Sequence, residues 1–100
     1  MLLNKLTAGD FHPLLNQTFQ VRLEGIDPID LELISVTEKT NDSDAAHRSP
    51  FSLVFLGPVS NQYLLQHIYR MEHDQAGALD IFIVPLGLHA GRMQYEAVFN

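Results

Sequence analysis

The stretch Leu79-Asp80-Ile81-Phe82-Ile83-Val84-Pro85 constrains this chain more than any other. Four consecutive apolar residues, β-branched or aromatic, stand between a turn signal at Asp74–Gly77 and a proline. A run that short reads as a strand buried on both faces and not as a helix. It is expected to lie at the centre of a sheet and to stop at Pro85.

Period-two alternation surrounds it. Phe19, Val21 and Leu23 alternate with Gln20, Arg22 and Glu24; Ile29, Leu31 and Leu33 alternate with Asp30 and Glu32. Leu33-Ile34 breaks the phase before Val36, as a β-bulge does. Phe51, Leu53 and Phe55 share a face in a strand expected to end at Gly57-Pro58. Met93, Tyr95, Ala97 and Phe99 share a face in the last strand, and Leu86–Gly91 reads as a glycine-flanked turn. The span from Val59 to His73 has two readings. Tyr63, Leu64, Ile68 and Met71 approach helical spacing, whereas His67, Tyr69, Met71 and His73 alternate as a strand before a turn. The strand over 66–73 is preferred, and the helix is kept as the alternative.

Ahead of the strands, Thr7 and Asp10 have the spacing of a capping box, with Leu6 and Phe11 as a hydrophobic staple. Phe11, Leu14 and Leu15 share one helical face, and Pro13 keeps the helix short. The expectation is therefore one mainly β domain over 1–100. It has a helix at 8–15 and strands near 18–24, 29–38, 50–56, 66–73, 78–84 and 92–99. No connection is long enough for a regular crossover helix, so pairing is antiparallel. A small six-stranded barrel and a two-layer sandwich both satisfy this pattern.

Composition removes several function classes. With 46% apolar and 18% charged residues the chain is of the folded kind. A net charge of -6, with Lys5, Arg22, Lys39, Arg48, Arg70 and Arg92 scattered, argues against nucleic acid and anionic membrane as partners. There is no cysteine, so neither disulfide nor thiolate chemistry is available. The opening Met1–Leu6 is too short for a signal peptide, which fits the cytoplasm, or release within an assembly that needs no leader.

Chemistry-bearing constellations are weak. His67 and His73 lie on one strand face but roughly 20 Å apart, too far to share an ion. His12, His47 and His89 show no ligand spacing, and His73 reads as a hydrogen-bonded residue at a strand end. Asn41, Asp42 and Asp44 in the loop 39–49 lack the glycine and closing glutamate of a calcium loop. No serine sits in a nucleophile elbow, and no glycine-rich loop precedes a helix. Asp80, if inward-facing, needs Arg70 or Arg92 as a partner. No cofactor, metal or catalytic residue is expected, and the chain is read as no enzyme.

The features from Pro50 to Asn100 also carry a resemblance. Pro50–Phe55 with Gly57-Pro58, Ile68–His73, Gly77–Pro85 and the closing Tyr95-Glu96-Ala97-Val98-Phe99-Asn100 are similar to a family of small bacterial domains known only as a domain of unknown function. Phe11 and Phe19–Leu23 fit it too, and the loop 39–49 fits least. Members often neighbour proteins with phage tail-collar domains. The resemblance therefore implies a part in building or docking a tail-fibre-like or secreted fibrous assembly, with no catalytic residues to carry over.

Two function classes follow. The first is a non-catalytic assembly module, a homo- or hetero-oligomer that binds protein, either itself or a tail-collar-type structural protein. Val54, Leu56, Phe82, Val84, Tyr95, Val98 and Phe99 are its candidate interface, and the strand from Arg92 to the end is either a free edge or paired to close the barrel. The second is a small-ligand-binding barrel whose mouth carries Tyr63, Tyr69 and Tyr95.

Overall fold

The computed structural model describes residues 6–38, 50–60 and 62–99. A short helix α1 (Ala8–Phe11) runs into a 3-10 turn at His12–Leu14. Six strands follow: β1 (Thr18–Arg22), β2 (Ile29–Glu38), β3 (Phe51–Val59), β4 (His67–His73), β5 (Gly77–His89) and β6 (Arg92–Phe99). They close into a barrel in the order β1-β2-β3-β6-β5-β4, with β4 pairing back onto β1 and every pair antiparallel. Of the two architectures the alternation allowed, the barrel is the one adopted. The span after Val59 forms strand β4, not a helix.

Bulges supply the bending that a small closed barrel requires. The register of β2 on β3 slips between Leu33 and Ser35, at the phase break read in the sequence. A second slip lies between Leu56 and Val59 on β3, and a third between Pro85 and Gly87 on β5. These two explain why the strand ends expected at Gly57-Pro58 and at Pro85 are wrong. Proline cannot donate to a ladder and glycine weakens one, but both are tolerated beside a bulge. Both strands therefore pass through and continue, β3 to Val59 and β5 to His89. Gly57 is also held by packing, since a Cβ there would lie 3.3 Å from the Tyr95 ring.

The interior is filled by alternate residues. Phe19, Val21, Leu31, Leu33, Leu53, Phe55, Met71, Ile81 and Ile83 are all within 1% of full burial. The run in β5 behaves differently from its expected two-sided burial: Ile81 and Ile83 are inside, Phe82 is 49% exposed and Val84 is half-buried. A closed barrel has one interior, and the only helix among the described residues is spent elsewhere.

That helix plugs one end. Thr7 N–H donates to the Asp10 carboxylate at 2.8 Å, and Asp10 N–H donates to the Thr7 carbonyl at 3.0 Å, so the turn starts as the sequence signature requires. Phe11 then sets its ring 5.8 Å from both Phe51 and Phe99, which stack on each other at 4.6 Å. The opposite end carries the β1–β2, β3–β4 and β5–β6 connections and, among the described residues, no helix. No helix among the described residues is long and apolar enough to cross a membrane.

The β5–β6 hairpin turns through Ala90 and Gly91 at φ 52° and 79°, between the paired residues His89 and Arg92. Two left-handed residues match the twist of a two-residue hairpin, and alanine is strained there. Ala90→Asn is expected to raise stability by about 0.5–1 kcal/mol, read as an upward shift of the thermal midpoint. An unchanged or lower midpoint would contradict the strain.

Candidate functional site

The histidines do not converge. His12, His67 and His89 are exposed, and His47 lies outside the described residues, as do Asn41, Asp42 and Asp44. His73 is buried against Phe19, with ring centroids 4.8 Å apart. One ring nitrogen, Nε2, meets Gln17 Oε1 at 2.6 Å, while Nδ1 accepts the backbone N–H groups of Gln75 and Ala76 at 3.0 and 3.2 Å. Both nitrogens are thus used in holding the β4–β5 turn against the strand that begins β1, a structural role. Among the described residues no group of three or more His, Cys, Asp or Glu side chains could hold a metal ion.

The carboxylates are likewise dispersed. Asp80 faces outward and is exposed, opposite Arg70 in register. The conditional demand for a buried partner does not arise. On the outer face of β1 and β4, Glu72 receives Arg22 Nε at 2.5 Å and Arg70 Nε at 3.5 Å. The Arg22 hydrogen bond holds the Glu72 carboxyl below its ordinary range. Arg92 donates to the Gly57 carbonyl at 2.7 Å and lies 3.7 Å from Glu32, tying β6 to β3 and β2. This half of the barrel wall is wet and charge-paired.

The other half is not. Nine large apolar side chains are exposed among the described residues, and their placement is uneven. Ile26, Val59, Tyr63, Leu65, Leu86 and Leu88 ring the unplugged end; Ile68, Phe82 and Val98 lie on the outer wall of β4, β5 and β6. Ile68 and Phe82 are direct cross-strand partners, 58% and 49% exposed. Val54 and Val84 flank Glu96 in one outward row, and both are half-buried. Leu56 occupies the next outward row opposite Gln94, also half-buried.

Of the expected interface residues, then, Phe82 and Val98 are exposed and Val54, Leu56 and Val84 lie on the outer wall. Tyr95 and Phe99 do not: at 3% and 8% exposure they belong to the core. Alternation grouped them on one face, and the barrel turns that face inward. Of the two readings of the last strand, closure of the barrel holds and the free edge does not, because β6 pairs with β3 on one side and β5 on the other. Ile68, Leu86 and Leu88 were missed. The latter two were read as turn residues because Pro85 and Gly87 flank them.

Inside the apolar ring is a depression of about 510 Å³, lined among others by Leu23, Ile26, Ile29, Pro58, Tyr63 and Tyr95. The Tyr95 hydroxyl accepts the Leu64 backbone N–H at 2.8 Å, which folds the β3–β4 connection over the barrel mouth. Tyr69, the third expected tyrosine, is not among the lining residues; its hydroxyl donates to the Leu65 carbonyl at 2.7 Å.

Burial pushes the Tyr95 hydroxyl above its ordinary value, partly offset by the Leu64 N–H. The stability linked to a raised folded pKa is fully present below the unfolded value near 10 and is lost as pH rises through the folded one. The chain is therefore expected to hold its stability to about pH 10 and to lose it above, with Tyr95→Phe removing part of that alkaline dependence. Urea midpoints from pH 8 upward would check this, and a profile flat through the tyrosine range would contradict it.

Residues 6–99 match a family model described as Domain of unknown function (DUF6916). No curated protein and no solved structure matches the chain.

Proposed function

The chain belongs to that family of domains of unknown function, and we propose that it is a non-catalytic assembly module whose apolar half associates with a second copy of itself. The observation that carries this reading is the segregation of the barrel surface. Arg22 and Glu72 pair on the outer face of β1 and β4, while all nine exposed large apolar residues lie on the open end or the β4–β5–β6 wall, where Arg70 and Asp80 are the charges beside Ile68 and Phe82. Contiguous apolar surface of this kind, rimmed by polar residues, marks interaction sites in soluble proteins. A second copy suits it because the wall carries one charge of each sign beside the apolar pair. Arg70 and Asp80 face each other next to Ile68 and Phe82, so a two-fold partner meets opposite charges.

The resemblance to small bacterial domains that neighbour phage tail-collar proteins extends the reading. Copies so joined would build or dock on a tail-fibre-like or secreted fibrous structure, a hetero-oligomer formed in the cytoplasm or released with the assembly. The net charge of -6 makes nucleic acid and anionic membrane poor partners.

Light scattering of purified protein over a dilution series tests the proposal. A mass above 11.3 kDa that falls on dilution supports it. The second reading, a small-ligand-binding barrel, is favoured by the depression of about 510 Å³ beside Tyr63. It predicts a strict monomer whose tyrosine fluorescence responds to small apolar compounds.

A further inference from the structure

The barrel closes completely only along part of β5. Residues Gly77–Ile83 pair with β4, and Val84, Pro85 and Gly87–His89 pair with β6 with Leu86 bulged between them, but β4 has no partner for β5 beyond the His67–Ile83 pair. Past Ile83 the hairpin rises as an arm whose second edge no strand among the described residues covers. Leu86, Gly87, Leu88 and His89 on that edge are all exposed, and no backbone hydrogen bond outside the β5–β6 ladder reaches them among the described residues. An exposed apolar edge is a template for another strand unless the sequence blocks it.

We infer that this edge of β5 is the seam along which two copies join, strand to strand and antiparallel. The inference rests on the self-association reading and names its contact. Three features point to a second copy as the occupant. First, the segment is self-complementary about Gly87: laid antiparallel on itself with Gly87 at the crossing, it sets Leu86 of each copy opposite Leu88 of the other. These are two leucines at 50% and 65% exposure, so the same pairing covers both, twice. Second, the crossing residue leaves room, since a Cβ at Gly87 would meet nothing within 4 Å. Third, the chain carries a net charge of -6, yet Val84–Arg92 contains no acidic residue, so two copies meet where repulsion is least.

Pro85 and the bulge at Leu86 shorten the seam to the few residues around Gly87. Pro85 contributes no donor, and in this register it falls opposite His89 at the margin, outside the leucine pairs. The product is a continuous sheet, β3-β6-β5 of one copy running into β5-β6-β3 of the next.

Site-directed cross-linking tests the register, because the protein has no cysteine of its own. Leu86→Cys and Leu88→Cys are made as separate variants, oxidised alone and as an equimolar mixture. Directly opposed residues lie about 4.5–5.5 Å apart at Cβ, against about 7–8 Å on the diagonal, so the mixture is expected to give several-fold more covalent dimer than either variant alone. The double variant Leu86→Lys, Leu88→Lys is expected to weaken association about tenfold or more while the thermal midpoint stays near that of the unaltered protein. Two results overturn the seam. If light scattering shows oligomers but the mixture cross-links no better than the single variants, the seam is wrong and self-association stands. If the unaltered protein is a monomer at every concentration, both fall together.

Discussion

Phe11→Ala is expected to lower stability by about 3–5 kcal/mol, the range for removing a buried aromatic ring. For a domain whose total is about 5–15 kcal/mol, that leaves a protein close to unfolding at body temperature. The size of the effect follows from position. Phe11 is 1% exposed and closes a three-ring cluster with Phe51 and Phe99, the first inward residue of β3 and the last of β6. Nothing else described covers that end of the barrel, and a two-turn helix has too little propensity to hold itself there. Urea denaturation should show a lower midpoint with an unchanged slope. A loss under about 1 kcal/mol, the range of ordinary surface substitutions, would mean the helix is not a structural plug.

The second large effect is on association and not on folding. Replacing Ile68 and Phe82 together with aspartate is expected to reduce self-association by about thirty-fold or more, as loss of a central apolar anchor does. The thermal midpoint is expected to move little, because both side chains are half or more exposed in the barrel itself. The two are cross-strand partners beside Asp80, so the added carboxylates make a cluster of three negative charges on the wall. Charge placed on an apolar contact must be desolvated when the partner covers it, and that is costly. Equal masses for the unaltered and altered proteins across a dilution series would remove the wall from the contact.

How much of this was legible beforehand depends on which residues are asked. Phe19, Val21, Leu31 and Leu33 declared their shared face by period two, and Leu33-Ile34 declared the bulge by breaking it. The capping pair Thr7 and Asp10 declared the helix start. These are local signals, and the barrel obeys them. Alternation, however, says which side chains share a face and not which face closes inward, and so it does not separate Tyr95 and Phe99 from a surface row. The run Ile81–Val84 carries a deeper ambiguity. Four apolar residues in a row are what a strand covered on both faces looks like, and equally what a one-sided strand with an exposed apolar outer face looks like. Only closure of the barrel, with its single helix committed to one end, separates the two. Pro85 and Gly57-Pro58 misled for a related reason: their poor fit in ladders is a rule about regular pairing, and both sit at register slips. Leu86 and Leu88 became visible only once the strand was seen to pass through. The His73 network was half legible, since a strand-end position was readable but its partner Gln17 lies 56 residues away.

The central claim is that one half of this barrel surface is kept for another copy and the plugged end is not. Amide hydrogen exchange, compared between dilute and concentrated protein, addresses it directly. The prediction is slower exchange at high concentration along Leu86–His89 and on the Ile68–Phe82 wall, with Ala8–Leu14 and the outer face of β1 unchanged. Identical exchange at both concentrations throughout, or protection centred on the helix end, would contradict it.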